Sequence, residues 1–270
     1  MKDRSAFLLT FAFFLLAPVL LNANIIVKNG LTHENEAASG EYYEGSLELQ
    51  NDADIPQEVK IYQADYFFYA DGRILYTDPG KLERSNAHWI TFSPKRLTIP
   101  PKEEISVRFS VKVPADKMLS GSYWSVFMVE GIPDESPEST KFKPQESGLG
   151  VRQVFRYAIQ IVTQIGAVGK KSVQFQETKL LKQGVEQFLR LDIKNNGKWW
   201  LRATVWAELY DQNGNFVGKY EAAPLRLYPE TSGRFAIPLS DVPNNTYKAL
   251  IIVDCGGEDI YGANLNLIIK

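Results

Sequence analysis

Ile105-Ser106-Val107-Arg108-Phe109-Ser110-Val111-Lys112-Val113 alternates apolar and polar residues without a break and is closed by Pro114. Successive side chains of a strand point to opposite faces, so this period of two predicts a β-strand with one face in a core. The same period recurs on either side of it. Leu47 and Leu49 alternate with Ser46, Glu48 and Gln50, and Val59 and Ile61 alternate with Glu58, Lys60 and Tyr62. Asp71-Gly72 and Asn213-Gly214 stand between aromatic-rich strand candidates, and both dipeptides tolerate the positive φ that hairpin turns demand. No long stretch carries a capped helical period, so the fold class expected is all-β.

A weak internal repeat sets the domain count. Arg96-Leu97 leads through Pro100-Pro101 into the long alternating strand, and Gly121-Ser122-Tyr123 opens the strand candidate 124–130. Further on, Arg226-Leu227 leads through Pro229 into residues 234–238, and Asn245-Thr246-Tyr247 opens the candidate 248–254. A tyrosine shortly after a turn residue at the start of a late strand is similar to the tyrosine corner of immunoglobulin-like sandwiches, whose size is about 100 residues. Two such β-sandwich domains in tandem are therefore expected, residues 24–166 and 167–270. Residues 132–150 hold Pro133, Pro137, Pro144 and four acidic residues, and are expected to form a mobile loop before the last strand of the first domain.

Residues 1–23 read as a secretory signal peptide. Lys2 and Arg4 precede an apolar run from Ala6 to Leu21, and Leu21-Asn22-Ala23 suits cleavage after Ala23. The run falls short of the roughly 20 residues that span a bilayer, and no later stretch resembles a transmembrane segment. The 270 residues are 44% hydrophobic and 23% charged, the composition of a folded chain. A formal net charge of -2 gives no electrostatic footprint for nucleic acid. Cys255 is the sole cysteine and His33 and His88 the sole histidines, which disfavours disulfides, metal sites and most nucleophilic chemistry. The chain is expected to be no enzyme, with no catalytic residues, no metal and no cofactor.

An exported chain with two immunoglobulin-like sandwiches and a long loop before a long last strand resembles the PapD-like periplasmic chaperones that assemble pili and related fibres. Phe155-Arg156-Tyr157-Ala158-Ile159-Gln160-Ile161-Val162 looks like that family's donor strand. The resemblance implies a fibre-subunit or other envelope polypeptide as partner, captured by β-strand addition. It makes Phe155, Arg156, Tyr157, Ile159 and Ile161 the client-strand residues. It also implies a basic anchor for the client's terminal carboxylate, for which Lys28, Arg152 and Arg156 are on offer. Asn86-Ala87-His88-Trp89-Ile90 and Gly121-Ser122-Tyr123-Trp124-Ser125 are similar to envelope proteins of the WxL-partner type. On that second reading the chain is a structural module that binds cell-wall glycan or a surface protein through aromatics. Trp199-Trp200 is the candidate platform, because adjacent strand residues face opposite ways and at least one must leave the core.

Overall fold

The computed structural model describes residues 25–134, 136–141 and 154–270; residues 1–23, expected to be a signal peptide, lie outside them. The described chain is all-β: eighteen strands, with a 3₁₀ turn at Ala87–Trp89. In the first sandwich one sheet is built from β1 (Ile25–Val27), β3 (Tyr42–Asn51), β8 (Glu104–Lys112) and β6 (Ile90–Ser93), in that order. The other runs β2 (Thr32–Ala37), β10 (Arg156–Ile165), β9 (Gly121–Ile132), β4 (Gln57–Phe68) and β5 (Ile74–Thr77), with β7 (Arg96–Ile99) paired to the start of β4. The second sandwich joins β11 (Val173–Gln183), β12 (Glu186–Asn195) and β16 (Ser232–Pro238) in one sheet. Facing it are β14 (Phe216–Glu221), β13 (Leu201–Tyr210), β17 (Asn245–Asp254) and β18 (Ile260–Ile269), with β15 (Leu225–Leu227) also on β13.

The alternating stretch 105–113 puts Val107, Phe109 and Val111 into the first core, opposite Leu47, Gly45 and Tyr43 of β3. Asp71-Gly72 turns the β4–β5 hairpin and Asn213-Gly214 the β13–β14 hairpin, with both glycines at positive φ. Each sandwich has its own apolar core: Leu47, Leu49, Ile61, Phe127, Ile159 and Ile161 belong to the first, and Leu189, Leu191, Val205, Phe235, Ile251 and Cys255 to the second. Cys255 is therefore a small core hydrophobe, and burial pushes its thiol up to about 11.

The two sandwiches repeat one device. Asn51 ends β3 and is fully buried; its side-chain amide donates to the carbonyls of Ile55, Ile99 and Pro100, and its Oδ1 accepts from Ala53 N. Asn195 ends β12 and does the same, donating to Trp199 and Leu227 and accepting from Gly197 N. The turns they brace place Lys102 and Glu230, both non-glycine, at positive φ. The tyrosine repeat is less regular. Tyr247 Oη donates to Pro243 O at 2.8 Å, a true corner, whereas the Tyr123 ring packs against Trp89 at 4.8 Å.

Truncating either asparagine strands carbonyls in a dry interior. Asn51→Ala and Asn195→Ala should each cost about 3 kcal/mol, read as a lower denaturant midpoint, whereas Asn29→Ala at an exposed site should cost less than about 1 kcal/mol.

Candidate functional site

The last strand of the first sandwich, β10, is paired along its whole length with β9 on one side. On the other side β2 lies parallel to it from Gln160 to Ile165 only. The Gln160 N–H donates to Leu31 O, and so points towards β2. Backbone direction alternates along a strand, so the N–H and C=O groups of Ala158 and Arg156 point the same way, beyond the start of β2. Among the described residues no strand pairs with them. This is a short open edge, led into by Val154 and Phe155, which are 41% and 39% exposed.

The side chains of β10 divide sharply. Tyr157, Ile159 and Ile161 face the sandwich's own core, where Ile159 and Ile161 are fully buried and Tyr157 Oη donates to Ile25 O at 2.7 Å. The expectation that Ile159 and Ile161 present an apolar face to a client is corrected: those side chains already fill their own sandwich. The opposite face of β10 carries Arg156, Ala158, Gln160, Val162 and Gln164, of which Val162 and Gln164 are buried towards the second sandwich. Ala158 packs beside Ala64, Val126, Met128 and Tyr66, and Tyr76 stacks on Tyr66 at 5.4 Å, so an apolar strip adjoins the open edge. Burial pushes the Tyr66 hydroxyl up to about 12, and it stays a neutral phenol at working pH.

The basic residues are placed as follows. Arg156 Nε donates to Glu130 Oε2 at 2.7 Å, and Lys60 Nζ lies 3.3 Å from the other oxygen. Burial pushes the Glu130 carboxyl up, but the Arg156 hydrogen bond and the Lys60 charge outweigh it and hold it below its ordinary value. Arg156 is thus already committed to a carboxylate. Lys28 is exposed at the end of β1 with no ion pair among the described residues, and Arg152 lies outside them.

Trp199 and Trp200 are taken up by the junction of the two sandwiches. Trp199 is 6% exposed, with its ring beside Gly166 and Gly169. Trp200 Nε1 donates to Glu34 Oε1 at 2.6 Å, its backbone N–H donates to Ser122 Oγ at 2.8 Å, and the Arg226 guanidinium lies 3.8 Å above its ring. Arg226 caps its ring, which also packs against the buried Trp124, Val162 and Tyr228, so no open stacking platform results. Tyr228 completes the junction. It stacks on Trp124 at 4.7 Å and 11°, and its hydroxyl donates to Gln160 of β10. Gly121, at φ +94°, lets the chain pass Lys198 O, where a Cβ would come within 2.2 Å.

The loop expected to be mobile is held wherever it is described. Glu58, whose side chain is 2% exposed, accepts from Thr140 N, Thr140 Oγ1 and Arg96 Nη2. Arg96 also donates to Glu138 O, and Lys60 reaches Glu138 at 2.6 Å. Residues 142–150 lie outside the described residues. No group of histidine, cysteine and acidic residues able to hold a metal occurs among the described residues, and His33 Nε2 is buried without a partner.

No protein-family model matches the chain, and no curated protein matches it. Several solved structures are similar to it. The YadV chaperone is 14% identical, with 91% of this chain and 100% of that one covered and a TM-score of 0.45. A chaperone–tip adhesin complex of CFA/I fimbriae biogenesis gives 14%, 92%, 99% and 0.47. The CsuC–CsuE chaperone–tip adhesion subunit complex of Acinetobacter baumannii gives 17%, 90%, 98% and 0.46.

The Thr140 hydrogen bonds hold the Glu58 carboxyl down to about 2, from an ordinary 4.5. A depressed carboxylate stabilises fully above its ordinary value, and that contribution is lost as pH falls from 4.5 towards 2. The Thr140 amide should therefore stay protected from hydrogen exchange at about pH 4 in the native chain, and exchange at least about tenfold faster in Glu58→Gln at the same pH.

Proposed function

We propose that this chain is an exported, non-enzymatic assembly-chaperone-like module that binds another envelope polypeptide by adding a client strand along the open edge of β10. The mature protein on this reading consists of two units, 24–166 and 167–270, and works outside the cytoplasm after loss of residues 1–23. The observation that carries the proposal is the backbone of Arg156 and Ala158, whose polar groups point sideways from the sheet before the start of β2. An extended client segment laid there would gain ladder hydrogen bonds, which supply affinity irrespective of sequence. Selectivity would come from the adjoining strip of Ala158, Met128, Tyr66 and Tyr76, and from Val154 and Phe155 leading into the edge.

The division of labour along β10 supports the same reading. Tyr157, Ile159 and Ile161 anchor the strand in its own core, so the edge is pre-ordered and a client would not have to organise it. The Arg156–Glu130–Lys60 network fixes the charge next to the edge. A client carboxylate would compete with Glu130 for Arg156, so Lys28 is the freer anchor.

Ala158→Pro tests this directly. Proline removes an N–H that has no partner among the described residues, and its ring projects where a client strand would lie. The protein is purified from its native envelope, the polypeptide that co-purifies stoichiometrically is identified, and its affinity for both forms is measured. Binding should fall by at least about tenfold with the melting temperature unchanged. Equal binding by the proline variant, or loss of binding only in Trp200→Ala, would overturn the proposal.

A further inference from the structure

Sheet edges are adhesive unless something blunts them, and the edges of this molecule can be compared one by one. In the first sandwich β1, β5, β6 and β7 are three or four residues long, and β2 carries Glu34 and Glu36. In the second, β11 carries Glu177, Lys179 and Lys182 with a bulge between Phe175 and Glu177, and β14 carries Lys219 and Glu221 opposite a register shift at Leu209/Tyr210. β16 carries Arg234 and ends in Pro238. Each is short, charged or irregular.

β18 is none of these. Ile260-Tyr-Gly-Ala-Asn-Leu-Asn-Leu-Ile-Ile269 is a strand of ten residues without a charge, a proline or a register shift, paired with β17 on one side and with nothing on the other among the described residues. Tyr261, Ala263, Leu265, Leu267 and Ile269 turn inward. Ile260 and Ile268 stand outward at 59% and 56% exposure. An open edge of about 33 Å remains.

We propose that β18 pairs antiparallel with β18 of a second copy of this chain, about a two-fold axis through Asn264 that joins two second sandwiches into one continuous sheet. An axis normal to the sheet keeps both cores on their own side, which requires residues of the same face to sit opposite one another. Centring on Asn264 does this and makes the chemistry complementary. Ile260 meets Ile268, Gly262 meets Asn266, Tyr261 meets Leu267 and Ala263 meets Leu265. The two Asn264 amides, each both donor and acceptor, meet at the axis. The same register brings Lys270 beside the exposed Glu258 of the other copy, and neither side chain has an ion pair among the described residues. The strand edge of the first sandwich at Arg156 and Ala158 is left out of this contact, so the inference is independent of client binding.

Sedimentation velocity on the mature protein from about 1 to about 200 µM should follow a monomer–dimer equilibrium. Asn264→Lys sets like charges opposite each other at the axis and should weaken the dimer at least about tenfold. In Asn264→Cys the two thiols lie directly across the strand pair, and mild oxidation should give a covalent dimer. Cys255 is fully buried and should add no background. If Asn264→Lys melts below the native protein, the cysteine variant, which adds no charge, decides alone. A monomer at every concentration, or a failure of Asn264→Cys to cross-link at dimeric concentrations, overturns the inference. So does a dimer that survives Asn264→Lys and is lost in Ala158→Pro, because it would run through β10.

Discussion

The first strand segment changes sheets, and most of the structure depends on that change. Ile25–Val27 runs antiparallel to β3 in one sheet, and a few residues later Thr32–Ala37 runs parallel to β10 in the other. Each strand closes part of an edge that would otherwise be open. The crossover has to occupy residues 28–31, so β2 cannot begin earlier than Thr32, and β10 cannot be covered before Gln160. The open edge at Arg156 and Ala158 is thus a geometric consequence of where the chain crosses between the layers. Tyr157 Oη, bonded to Ile25 O, ties the open part of β10 to the other side of the same crossover.

β2 also reaches the second sandwich. Glu34 stands opposite Val162 of β10 and takes hydrogen bonds from Gln164, Trp200 and Arg226. Val162 itself is buried beneath Trp124 and Tyr228. One short strand therefore links edge coverage and interdomain contact, since the residues that hold it against β10 also hold the second sandwich. The junction is mixed in character: an aromatic stack for contact area, and a carboxylate shared by an indole and a guanidinium for direction. Cation–π stacking of Arg226 on Trp200 holds the planar guanidinium in place beside Glu34, 3.1 Å away.

The strands, their hairpins and the two-fold repetition were legible because each rests on a local signal: a period of two, an Asp-Gly or Asn-Gly turn, an Arg-Leu followed by proline. The orientation of β10 was not. Its two faces are both partly apolar, with Ile159 and Ile161 on one and Ala158 and Val162 on the other, so periodicity alone cannot say which enters the core. Neighbours decide it: Phe127 and Val129 on the inner side of β9 claim the isoleucines, while Tyr228, some 70 positions on in sequence, claims Val162. Trp199 and Trp200 carry a real signal, since one of two adjacent strand residues must leave the core, but the signal does not tell a ligand platform from a domain junction. The buried asparagines at 51 and 195 are legible only in part. Each stands at the end of an alternating strand, where an Asx turn is the default reading.

Glu58, on β4, extends the same logic to the far side of the sheet that carries β10. A carboxylate on a strand is ordinarily read as solvent-facing, and a loop rich in proline and charge as loose. Here each supplies what the other lacks. The loop residue Thr140 offers a backbone and a side-chain donor, Arg96 on β7 offers a guanidinium, and the buried carboxylate satisfies all three. The chain leaving β9 is thereby pinned over the start of β4, at the end of the sheet where β7 is too short to cover much. Ion pairs hold that end of the sheet, and at the other β2 covers β10 only from Gln160 onward, so the backbone of Arg156 and Ala158 is the part of β10's outer side that no described strand covers. The crossover that stops β2 short of this stretch also fixes it from beneath, through Tyr157 Oη on Ile25 O, so the uncovered backbone is held extended and ready to pair, which is the physical ground for proposing a client strand there.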